Sequence, residues 1–250
     1  ALAPDAVRAQ AAPAPSVAPS SSRRSATKTT TPASAAVGDV TGITSSTAPS
    51  TPARIAPGLG SYAVAIAGSA SVGGRSQSVP TSGEVIFAAA GDNVHQSSPK
   101  APGDVVLLQR FSGAKSELVS LELTAGDSHK VFSPTSPVTY LLYNAPGGAS
   151  WGWSADSTDG KTHVTANGRI GGTRDITIGG ISVRAVEVVH ELTISGDIKG
   201  TATLTTWASP DYRLPLVQHQ RIDATARGLL GLSVRLVSDT TTTLRSINPT

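Results

Sequence analysis

Residues 161–194 read KTHVTANGRIGGTRDITIGGISVRAVEVVHELTI. Apolar side chains return here at every second position, the period of an extended strand rather than a helix. In 181–194 one face carries Val186, Val188, His190, Leu192 and Ile194. The other carries Ile181, Val183, Ala185 and Val189, interrupted by Glu187 and Glu191. Two partly apolar faces suit a strand covered on both sides, as in a sandwich or a strongly curved half-barrel. Asn167-Gly168, Gly171-Gly172 and Gly179-Gly180 supply turn chemistry. The stretch therefore reads as three strands, 161–169, 174–178 and 181–194.

The same grammar extends in both directions. Tyr62, Val64 and Ile66 alternate in 61–67. Residues 84–90 and 104–111 are short β-rich runs. In 116–124, Val119, Leu121 and Leu123 oppose Ser120 and Glu122. Runs follow at 138–143, 149–155, 201–207, 214–224 and 230–245, separated by Gly147-Gly148, Asp159-Gly160 and Gly196-Asp197. Strands about ten residues apart, joined by short turns, predict an antiparallel meander. No stretch holds a 3.6-residue apolar period over ten residues. The expected fold is mainly β: one curved antiparallel domain over residues 58–250, either half-barrel or sandwich.

Residues 1–57 differ in kind. They contain no aromatic residue and eight of the 17 prolines. Such a segment buries too little apolar surface to offset its ordering entropy, so a disordered Ala/Pro/Ser/Thr-rich tail or linker is expected. Its hydroxyl-dense stretches next to proline suit an O-glycosylated stalk or an unmodified spacer. The net charge of +3 resides in this segment (Arg8, Arg23, Arg24, Lys28 and Arg54 against Asp5 and Asp39), and the remainder is balanced. A balanced domain argues against nucleic acid as a partner. The basic tail is suited to peripheral contact with anionic cell-envelope polymers or lipid headgroups.

The chain has no cysteine and no methionine. Disulfides and thiolate chemistry are thereby excluded. Ala1-Leu2-Ala3 reads like the small-x-small end of a removed signal peptide. A secreted or cell-envelope bacterial protein, monomeric and held by its own core, is the expectation.

Motifs for chemistry are sparse. The five histidines lack the i, i+2 or i, i+4 spacing of metal ligands. His190 and His219 would meet only if their strands paired, with Glu187 or Glu191 joining them. No nucleophile elbow and no phosphate loop occurs. No catalytic residue, metal or cofactor is expected. Trp151-Gly152-Trp153 is the most pointed feature, because residues i and i+2 of a strand share a face. With Tyr140 and Tyr143 they form either a ligand surface for a sugar or lipid chain, or core filling. If 138–143 and 149–155 pair as a hairpin through Pro146-Gly147-Gly148, these four residues come together. Only one of the two tyrosines then joins the indoles, unless a bulge intervenes.

Residues 206–216, TWASPDYRLPL, place an Asp/Pro turn after a tryptophan and open the next strand with Leu214-Pro215. Trp207 and Leu214 are expected in the core. This strand–turn–strand, with Gly179-Gly180 and the hairpin at 196–200, resembles periplasmic lipoprotein-carrier proteins of the LolA/LppX type over residues 175–223. The resemblance implies non-covalent binding of an apolar, lipid-like ligand. A wall-associated structural, adhesive or polysaccharide-binding domain is the alternative reading, and a hydrolase with a dispersed site is the third.

Overall fold

The period-two grammar produces an all-β structure. The computed structural model describes residues 54–100, 103–125, 128–227 and 233–250, and there is no helix among them. The 1–57 segment lies outside the described residues up to position 53. The strands are β1 Gly60–Val72, β2 Arg75–Gln77, β3 Ser82–Ala90, β4 Asn93–Lys100, β5 Gly103–Ser112, β6 Lys115–Ala125 and β7 Ser128–Phe132. They continue with β8 Val138–Leu142, β9 Ser150–Asp156, β10 Thr162–Ile178, β11 Ile181–Gly196, β12 Ile198–Ala208, β13 Pro215–Arg227 and β14 Ser233–Leu244.

All pairings are antiparallel, and twelve strands follow one another in the order β7-β6-β5-β4-β3-β1-β14-β13-β12-β11-β10-β9. β2 pairs with β1, and β8 pairs with β6. Two meanders are thus joined where the first long strand meets the last, with Val64 opposite Leu244 and Val72 opposite Leu236. The sheet curls until its two edges nearly meet, giving an almost closed barrel. The seam between β7 and the end of β9 is a single bridge, Phe132 to Ser157. Thr158 N donates to Val131 O (2.8 Å), and Lys130 Nζ lies 2.5 Å from Asp159 Oδ2.

Three expectations are corrected. Asn167-Gly168 and Gly171-Gly172 do not form turns. β10 runs unbroken for 17 residues, and the second glycine pair sits in a bulge between Ile170 and Thr173. Pairing on both sides, with β9 and β11, holds this strand extended through Asn167-Gly168 and overrides the local turn preference. Second, β8 and β9 are not a hairpin. β6 offers one edge, which β7 covers over Leu121–Ala125 and β8 covers over Lys115–Leu118. β9 instead takes the edge of β10. Third, Val119 does not alternate with Leu121. A bulge beside Leu108/Gln109 inserts it, so Leu118 and Leu121 are the buried pair.

The core has two parts. One gathers Leu107, Leu118, Phe132, Trp153, Val164 and Val188 near the seam. The other gathers Tyr62, Val64, Phe87, Leu214, Leu216 and Ile247. β11 meets β12 only from Val186 onward, so the β10–β11 hairpin projects past its partner. The projecting part contributes Ile178, Val183 and Ala185 to the second cluster. Its tip approaches the chain end so closely that a β-carbon on Gly179 would sit 3.0 Å from Arg245 O. This end of the barrel is therefore filled. Leu214 is fully buried as expected. Trp207 is only half-buried: the register sets it opposite Glu187, on the face away from His190 and Leu204, where its ring stacks beneath Arg174 at 3.9 Å.

Candidate functional site

Residues opposite one another in a ladder share a face, so the register divides inside from outside. One cross-strand row runs Trp151, Gly168, His190, Leu204, Gln220, Thr240, Gly68. The next runs Trp153, Ala166, Leu192, Ala202, Ile222, Ser238, Ala70. Trp153, Ala166 and His190 are buried, and Leu192 and Ile194 pack against the seam-side core. These rows therefore face inward.

Toward the end opposite the filled one, the inner face opens. Leu192, Ile194, Ala202, Leu204, Ile222 and Leu236 are only half-buried. At the rim Val234 is 38 % exposed. From His190 to this rim, the inner face of β1 and β11–β14 carries no charged side chain. Glu191, Lys199, Arg221, Asp223, Arg235 and Asp239 all stand on the opposite face, with Thr201, Thr203 and Thr205. A barrel of about eight strands is just filled by its own side chains, whereas wider barrels enclose space. Twelve strands make a wider ring, and Gly68, Ala70, Gly200, Ala202 and Ala224 place only small side chains on this stretch of its inner face.

The four aromatic candidates do come together. Tyr140, Tyr143 and Trp153 are buried in the seam-side core, and the half-buried Trp151 packs against it. Both tyrosines take part because the β6–β8 register shifts between Ser116 and Glu117. Gly168 makes room for the Trp151 ring, since a β-carbon there would lie 2.3 Å from indole Cε2. Their rings face inward, so they form no exposed stacking strip on the sheet.

His190 sits among them, a role its sequence pattern did not reveal. Its Nε2 donates to the Tyr140 carbonyl at 2.8 Å, its ring stacks on Tyr140 with centroids 5.0 Å apart, and Trp151 meets it edge-on at 5.7 Å. Burial pushes its pKa down to about 4, so the imidazole is neutral with Nδ1 lacking a proton and a partner. Burial also pushes the Tyr140 and Tyr143 phenols well up. His190 does not meet His219. β12 separates their strands, and His219 lies outside, 2.8 Å from Asp239.

Chemistry on the outer face is thin. His163 bonds Asp156 (2.7 Å) and approaches the Thr165 hydroxyl (3.3 Å), an order that looks like nucleophile, base and orienter. All three are solvent-facing, and Thr165 is paired on both sides, with Ser154 and Thr193. Its strand's N–H groups are committed to ladders, so no oxyanion site is available beside it. Among the described residues no group of three or more His, Asp or Glu side chains is placed to hold a metal. A depression of about 430 Å³ at the β9–β10 edge is bordered by Ser150, Trp151, Gly152, Asn167, Gly168, Arg169 and Glu191, so Trp151 is the one aromatic candidate that lines it. Comparison with protein-family models, curated proteins and solved structures finds no match.

Proposed function

We propose that this domain is a non-catalytic binding module that takes an apolar, lipid-like ligand into the open end of its barrel. The uncharged, half-buried inner face of β11–β14 carries this reading. Leaving such side chains partly wet forgoes about 25 cal/mol per Å² of burial, which a hydrocarbon chain would recover. The resemblance to lipoprotein carriers points the same way, although those proteins pack helices on their sheet. A secreted or cell-envelope setting fits a cysteine-free domain behind a basic, Pro- and Thr-rich segment.

Native mass spectrometry of freshly purified protein is the test, followed by titration with a fluorescent fatty acid. Co-purified lipid, or saturable binding lost in Leu204→Arg and Ile222→Arg, is the expected result. Both positions are half-buried on the inner face, so an arginine there fills the space an apolar chain would take. Folded variants that bind as well as the parent protein would overturn the proposal.

A further inference from the structure

The depression of about 430 Å³ at the β9–β10 edge exists because a side chain is missing. Gly152 stands opposite Asn167 in the β9–β10 ladder, and Asn167 stands opposite Glu191 in the next. A β-carbon on Gly152 would lie 3.4 Å from Asn167 Oδ1, so a larger residue there would fill the hollow. Arg169, opposite Ser150, forms one wall and Glu191 another. These positions alternate with the inward row of Trp151, Gly168 and His190, so their side chains face solvent. The half-buried Trp151 borders the hollow from the core side.

The polar groups around it are uncommitted. Ser150, Asn167, Arg169 and Glu191 are exposed, and among the described residues none of their side chains makes an ion pair or a hydrogen bond. Neighbouring charges on the same strands are matched instead. His163 lies 2.7 Å from Asp156, and Arg174 packs over the Trp207 ring at 3.9 Å. Register keeps Arg169 and Glu191 apart. Arg169 stands opposite Val189 and Glu191 opposite Asn167, which makes the two charges diagonal neighbours, a relation that spaces positions about 7–8 Å apart. One hydroxyl can bridge such a gap, accepting from the guanidinium and donating to the carboxylate.

A ligand with a net charge gains from one wall and loses to the other. A neutral group rich in hydroxyls gains from both. The Asn167 amide and the Ser150 hydroxyl each add a donor and an acceptor. A sugar ring has this chemistry, and its size suits a hollow at the small end of the range that ligand sites occupy. We infer that the hollow is a saccharide subsite, taking one neutral pyranose ring over Gly152 between Arg169 and Glu191. It lies on the outer face and is independent of the ligand proposed for the inner face. It is open to solvent, so the ring can belong to a free sugar or to a polysaccharide.

The experiment uses the full chain on an array of neutral, uronic-acid and amino-sugar oligosaccharides. Calorimetry follows with the best neutral binder, as its methyl glycoside and as its hexasaccharide. Neutral glycans should bind, with uronates and amino sugars at least about tenfold weaker. Arg169→Ala and Glu191→Ala should each weaken binding at least about tenfold, the worth of a hydrogen bond to a charged group. Both residues are exposed, so circular dichroism and melting should not change. Gly152→Val is the sharper probe. It puts a better strand former in an extended position, so folding holds or improves while the new side chain fills the hollow and abolishes binding. A hexasaccharide bound as tightly as the glycoside identifies a polymer as the source, and binding of the glycoside alone identifies a free sugar. No neutral glycan bound, a preference for charged ones, or full affinity in all three folded variants overturns the subsite. Leu204→Arg should leave sugar binding unchanged, which separates failure of this site from failure of the inner-face reading.

Discussion

Acidification should weaken this domain through one residue, His190. In the folded protein its pKa is pushed down to about 4 by burial, from an ordinary value of 6.5. Its Nε2–H is already used on the Tyr140 carbonyl, and no carboxylate pairs with it among the described residues. The unfolded chain takes up the proton first. Between pH 6.5 and 4 the unfolded state therefore holds more protons than the folded one, and stability falls as pH falls. Each pH unit across that window is worth about 1.4 kcal/mol, so the loss approaches about 3 kcal/mol at pH 4 and levels off below. Urea unfolding at half-unit steps from pH 7.5 to 4, on the parent protein and on His190→Gln, isolates the effect. The amide can still donate to Tyr140 O but does not titrate. The difference in unfolding free energy between the two should shrink steadily as pH drops from 6.5. A difference that stays flat across that window, or grows, would refute the argument that a neutral imidazole is locked at this site.

Other perturbations test the packing and the seam. Gly168→Ala places a methyl group in the Trp151 ring and should cost about 1–3 kcal/mol, typical of overpacking, with a changed near-ultraviolet dichroism. Trp207→Ala removes a half-buried ring under Arg174 and should cost about 1–2 kcal/mol rather than the larger loss of a core indole; chemical denaturation measures it. Lys130→Ala deletes the cation that bonds Asp159 at the seam. It should speed amide exchange at Thr158, whose N–H donates to Val131 O across the seam, while leaving the melting temperature nearly unchanged.

Most of the fold is legible as alternation, since Tyr62-x-Val64-x-Ile66 or Thr201–Trp207 permits little besides strand. Two of the places where local reading fails share one cause. Asn167-Gly168 has turn chemistry, yet it is held extended by neighbours on both sides. The segment carrying Tyr140 pairs with β6 because that edge is still open, and a tight loop to Trp151 has no say in it. Long-range pairing decides such cases, and no short window contains it. The candidate site is legible in part. The aromatic quartet converges, but which way its rings point depends on the curl of the whole sheet. His190 reads as an ordinary residue, because burial is a property of the assembled barrel. The uncharged inner face was visible in principle, in 198–204 and 220–226, once the two faces of each strand are sorted.

The union of β1 with β14 also governs how the protein is made. These strands pair residues 164 to 180 positions apart in the chain, and among the described residues no other strand covers that edge of β1. While the chain is emerging, strands β1–β8 can assemble into a curved ribbon, but one long hydrogen-bonding border stays bare until the last strand arrives. A contact of such span closes slowly, and a bare border invites association with other chains. Maturation should therefore be late and cooperative, with a vulnerable interval that ends only when the C-terminal strand docks. Deleting residues beyond 232 should leave a product captured by holdase chaperones or driven into aggregates, whereas an intact chain passes through that interval once and is then protected.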